Sequence, residues 1–152
     1  MLWMILVVVL VIVVVLAAWL NTKSPVSGAP DAYRGIKPLS EPEQTLYWRL
    51  REAMPECVVL SQVGFSRFLE PQAANPGARR ALFNRIGQKS ADFLVCLPDF
   101  TIVAVIELDD GTHRVDKDAK RDSILRSARV PLVRVHVREI PTVEWLRSIF
   151  TR

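Results

Sequence analysis

The first twenty-two residues carry no charged side chain, and the whole net charge of +4 falls in the 130 that follow. This division constrains the chain more than any other feature. Residues 1–20, "MLWMILVVVLVIVVVLAAWL", are an unbroken apolar run. Twenty helical residues extend about 30 Å, the thickness of a bilayer core. Val and Ile are poor helix formers in water, but lipid forces internal hydrogen bonding and hence a helix. Trp3 and Trp19 sit near the two ends, where aromatic belts lie. The pattern predicts a transmembrane helix over 1–20 that anchors the chain to a membrane. A cleaved signal peptide, giving a secreted domain, is the rival. It asks for a basic start and a shorter apolar core, and this run has neither. Lys23, Arg34 and Lys37 all follow the run. The positive-inside rule then predicts a single-pass protein of a bacterial inner membrane with its C-terminal domain in the cytoplasm. Residues 21–39, rich in Pro, Gly and Ser, read as a flexible linker.

Residues 40–152 have the length of one domain with one core. The modest basic excess is compatible with nucleic acid or anionic lipid. Cys57 and Cys96, both in apolar runs, form neither a disulfide framework nor a zinc spacing, and read as buried reduced thiols. Ser40 and Glu43 make a capping-box pattern ahead of an amphipathic helix over 41–54. Strands are expected over 57–65, 90–97, 101–108 and 131–137. Helices are expected over 78–87, 116–128 and 141–150. A strand–helix–strand step near the end requires a right-handed parallel crossover. The order predicts an α/β fold with helices on both faces of one mixed sheet.

Chemistry concentrates in "VAVIELDDGTH", residues 103–113. A hairpin closing Leu97 on Ile102 places Asp92 opposite Glu107, where like charges repel. Asp109 shares a face with Glu107 because strand side chains alternate. A divalent cation relieves that repulsion, and hard oxygens suit Mg²⁺ or Mn²⁺. Asp92, Glu107 and Asp109 are therefore candidate metal ligands. The alternative is that Asp109 and Asp110 are solvated turn residues before Gly111. His113 is a candidate general base near neutral pH, or a surface histidine. Lys89, Lys117, Lys120 and Arg121 bracket the same end. They read as phosphate contacts, with Lys120 a candidate catalytic group, or as a solvated helix face. Arg79, Arg80 and Arg85 extend the basic track or line a solvated helix. His136, within a strand, reads as structural.

"KSADFLVC", "VAVIELDDGTH", "DKDAKRDSIL" and "PLVRV", with "EPEQTLYWRL" before them, resemble the bacterial family called domain of unknown function 2726. That family is placed in the restriction-endonuclease-like PD-(D/E)xK superfamily, and the resemblance covers about 38–140. It implies a mixed four-stranded sheet flanked by helices, with a metal site at one sheet edge. It implies Asp92 as the first acidic ligand and Glu107 as the second. The superfamily usually has Lys two residues after the second acid; Asp109 stands there. This resembles the very-short-patch-repair-like branch, with "E-x-D-G…H" in place of the common triad. Lys120 or Lys89 could fill the lysine's role, or His113 replace it. Glu43 matches an acid that the first helix sometimes contributes, its alternative being the capping box. The resemblance implies a metal-dependent nuclease acting on DNA rather than RNA, which the apolar run over 1–20 would anchor to the membrane. The alternative is a non-catalytic module that keeps the fold and binds nucleic acid or protein.

Overall fold

The structure is a computed structural model and describes residues 2–21, 33–111 and 115–150. The chain divides into two compact units, Met1–Lys37 and Pro38–Arg152.

The first unit contains α1 (Leu2–Asn21). Among the described residues, no helix is long and apolar enough to cross a membrane. The expected transmembrane helix over 1–20 is corrected accordingly. With it go membrane attachment through those residues and the single-pass inner-membrane placement. Most of the linker expected over 21–39 lies outside the described residues.

The second unit opens with α2 (Glu41–Ala53). Ser40 and Glu43 form the capping box, and Pro42 occupies the first turn, where its missing N–H costs nothing. Leu46, Leu50 and Ala53 recur on one side of α2 and are buried. There follow β1 (Val58–Gly64), a 3₁₀ turn (Phe65–Arg67), α3 (Pro76–Ile86), β2 (Ser90–Cys96), β3 (Ile102–Asp109), α4 (Val115–Ser127), β4 (Leu132–His136) and α5 (Val143–Phe150). Helix α3 begins two residues before the expected position. Asn75 caps it by accepting from the Ala78 N–H at 2.7 Å, and Pro76 follows in the first turn.

The sheet runs β1-β2-β3-β4. β1–β2 and β2–β3 are antiparallel, and β3–β4 is parallel through α4. One face carries Phe93, Val95, Ile106 and Val135 against Leu46 and Leu50 of α2 and Leu146 of α5. Arg49 ties the two helices' surroundings together by donating to the Ile140 and Pro141 carbonyls at 2.5 and 2.9 Å. The other face carries Leu94, Cys96 and Val105 against Phe65, Ile86 of α3 and Leu125 of α4. Cys57 packs with the first cluster and Cys96 with the second, so the two thiols face apart.

The β2–β3 hairpin differs from expectation at its tip only. Phe93, Leu94 and Val95 pair with Ile106, Val105 and Ala104, and a bulge then brings Cys96, not Leu97, opposite Ile102. Phe100 takes a left-handed conformation (φ 65°), and Leu97 closes the loop by donating to the Thr101 carbonyl at 2.9 Å. The extra residue is absorbed locally, so the inner register survives.

Candidate active site at the end of the β2–β3 pair

Phe93 and Ile106 are register partners in the α2–α5 cluster. Side chains alternate along a strand, so Asp92 and Glu107 turn together to the opposite face. This is the face on which α4 packs through Leu125. Asp92 accepts the Leu108 N–H on Oδ2 at 2.8 Å, which holds its carboxylate against β3 beside Glu107. Glu107 is the one charged residue of the described core, only 5% exposed. A buried carboxylate needs compensation. Arg121 provides it, with Nη1 ion-paired to Glu107 Oε2. Its Nη2 donates to the Ser90 carbonyl at 3.2 Å, and its guanidinium lies 5.7 Å from the centre of the Phe65 ring. A guanidinium is suited to this place because its fork can reach two acceptors while its plane rests on an aromatic face.

Asp109 is held differently. Its Oδ1 accepts the Gly111 N–H at 2.8 Å, a local turn that carries the chain out of β3. Gly111 has φ 75°, and a Cβ there would lie 3.5 Å from His136 Nε2. His136 stands opposite Asp109 in the parallel β3–β4 register, at the same end of the sheet. Asp110 is exposed, in keeping with a turn.

Glu43 is occupied by its own helix and by β1. Oε2 accepts the Ser40 N–H at 2.6 Å, and Oε1 accepts from Gln62 Nε2 at 2.7 Å. Gln62 falls between the register pairs Ser61↔Phe93 and Val63↔Ala91, opposite Asp92, in a left-handed conformation (φ 52°). A non-glycine residue in that region is strained. The strain breaks the alternation of β1 and lets Gln62 reach Glu43.

The expected site residues are thus distributed as follows. Asp92, Glu107 and Arg121 are brought together on one face. Asp109 is at the same strand end but committed to its turn. Lys120 is exposed on α4, and Lys89 is half-buried in the loop ahead of β2, one residue from the carbonyl that Arg121 holds. His113 lies outside the described residues, as does the side chain of Lys117. Among the described residues, no group of three His, Cys, Asp or Glu is placed to hold a metal ion. Two pairings escaped the sequence reading, Arg121 with Glu107 and Gln62 with Glu43. Arg121 stands one turn before Leu125, and that spacing marks it as inward-facing. Gln62 left no signal, because nothing in "VVLSQVGF" announces a left-handed residue.

Residues 37–151 match the family described as "Protein of unknown function (DUF2726)". The chain belongs to the DUF2726 family. No curated protein and no solved structure gives a significant match.

Proposed function

We propose that this DUF2726 domain is a PD-(D/E)xK-type, restriction-endonuclease-like hydrolase of phosphodiester bonds in nucleic acid, DNA rather than RNA. The observation that supports the reading is the placement of Asp92 and buried Glu107 on one face at one end of the sheet, with a cationic partner from α4. Mg²⁺ is commonly held by one or two carboxylates plus waters and substrate phosphates, so this donor set fits Mg²⁺ or Mn²⁺. Bound by Asp92 and Glu107, the ion would supply an activated water and charge neutralisation at the scissile phosphate. Asp109 would be a third ligand, with one of its two carboxylate oxygens already accepting the Gly111 N–H. Arg121 sets the position of Glu107 and balances its charge. Lys89 and Lys120 offer ammonium groups to the nucleic-acid backbone, with Lys117 and His113 next in the chain as phosphate contact and base.

The test uses the full chain with single- and double-stranded DNA and RNA, in Mg²⁺ or Mn²⁺. Cleavage that is lost in Glu107→Gln, with calorimetric Mg²⁺ binding lost in parallel, is the expected result. No cleavage, with Mg²⁺ binding absent or unaffected by Glu107→Gln, would overturn it.

A second reading is favoured by the Arg121–Glu107 ion pair and by the Asp109 turn, which draw two of the acids into structural roles. Under it the domain is a non-catalytic module that binds nucleic acid or a protein, since fold alone does not fix activity. Retained DNA binding without metal binding or cleavage would decide for it.

A further inference from the structure

Helix α3 is attached to the domain by little of its surface. Ile86 is its one buried residue. The helix holds Arg79, Arg80 and Arg85 and no acid, and its Phe83 ring is 49% exposed. Arg80, Phe83, Asn84 and Gly87 follow one another at helical spacing on a single stripe. A phenyl ring half in water beside arginines is not explained by packing, because core-facing positions on α3 are already served by Ile86.

Phe83 also borders a concavity of about 430 Å³ between α3 and the 3₁₀ turn. Phe68 lines it from the other side, and Arg67 and Arg79 stand at it, Arg79 paired to Glu70 at 2.6 Å. That volume is within the range of small-ligand sites, about 300–1,000 Å³, and ample for a nucleobase. The concavity is connected to the carboxylate pair through aromatic contacts. Phe68 meets Phe65 edge-on at 5.4 Å, and Phe65 carries the guanidinium of Arg121.

We infer that the cleft between the 3₁₀ turn and α3 is a subsite for single-stranded nucleic acid, one base stacking on Phe83 while Arg67 at the cleft and exposed Arg80, outside it and one turn before Phe83 on α3, hold the flanking phosphates. Stacking tolerates any base, because every base has a π-face, and the arginines take the backbone charge. The basic, acid-free helix selects a polyanion over a neutral peptide. A duplex keeps its bases paired and cannot offer one to the ring. The inference rests on the reading of nucleic acid as the substrate and adds where, and in what form, the strand is held.

The experiment measures fluorescence anisotropy of labelled oligo-dT on the full chain in EDTA, so that no cleavage intervenes. Phe83→Leu keeps bulk but not stacking and is expected to weaken binding about 5- to 100-fold. Phe83→Tyr is expected to restore it, and Arg80→Gln to flatten the salt dependence by about 0.7 of a log unit per log unit of salt. Duplex affinity should be unchanged by Phe83→Leu. Oligo-dT binding that is absent, or indifferent to Phe83→Leu, would overturn the inference. So would equal competition by poly-glutamate, which would mark the surface as one for an acidic protein. A failed cleavage assay with Phe83-dependent binding removes the nuclease reading and leaves the subsite standing. Intact cleavage with Phe83-independent binding does the reverse.

Discussion

Replacing Arg121 by Met tests the central claim about the carboxylate pair. Glu107 is almost wholly enclosed, and the Arg121 side chain is about a quarter exposed. Breaking a buried ion pair from one side costs about 3–5 kcal/mol, because the remaining charge keeps its desolvation penalty. The partial exposure of Arg121 lets water screen the pair, which lowers the figure. Loss of the Phe65 stacking adds about 0.5–1 kcal/mol. Together these place the effect at about 2–4 kcal/mol. The assay is urea unfolding of the full chain followed by tryptophan fluorescence, with the slope checked for constancy. The double variant Arg121→Met with Glu107→Leu removes both charges and should recover most of the loss, since an apolar pair of similar volume is often no worse than a buried ion pair. If the carboxylates hold Mg²⁺, the single variant should also be stabilised by millimolar Mg²⁺ more than the wild type is. A change below about 1 kcal/mol, or a double variant worse than the single, would refute the reasoning.

Arg129 occupies the left-handed position (φ 56°) after α4, with Val130 donating to the Leu125 carbonyl and Arg129 to the Arg126 carbonyl. That is a Schellman closure without its usual glycine, so Arg129→Gly should stabilise by about 0.5–1 kcal/mol in the same urea assay. The Asp99 carboxyl lies below the usual carboxylate range, chiefly because it accepts the Thr101 N–H. Its contribution to stability is therefore present above the ordinary carboxylate pKa and lost as pH falls through its own lower value; the difference between wild type and Asp99→Ala should shrink over that acid window and be flat above it. Burial first, and Glu56 second, push the Cys57 thiol up; burial first, then Cys57 and Asp99, push Cys96 up. A thiol reagent at neutral pH should label half-buried Cys57 slowly, and buried Cys96 only on unfolding. Fast labelling of both would contradict the packing.

The residues that could be read ahead of the structure are those whose role is periodic. Leu46, Leu50 and Ala53 repeat at helical spacing, and Phe93 and Ile106 lie in alternating strands, so their faces follow from count alone. Asp92 and Glu107 inherit their shared face from that alternation. The hairpin tip was harder, because the bulge after Val95 depends on Phe100 adopting a left-handed turn that side-chain type does not announce. Charge pairing was harder again. Arg121 looked like a phosphate contact because spacing shows where a side chain points and not which acid it meets. The apolar run at the start was over-read, since it supplied a hydropathy argument that no described helix meets.

The left-handed turn at Gln62 also bears on how the molecule behaves in a crowd. β1 ends the sheet on one side and offers a row of backbone groups to any strand that passes. Such a row is a template for pairing between copies of a protein. The reversal at Gln62 interrupts the row midway and tips its neighbours out of line, and the tie to Glu43 keeps it so. On the other side β4 is only five residues long, and its Arg134 is ion-paired to Asp122 of α4 at 2.6 Å. The sheet's two flanks are thus poor surfaces for self-association, one because it is kinked and the other because it is brief.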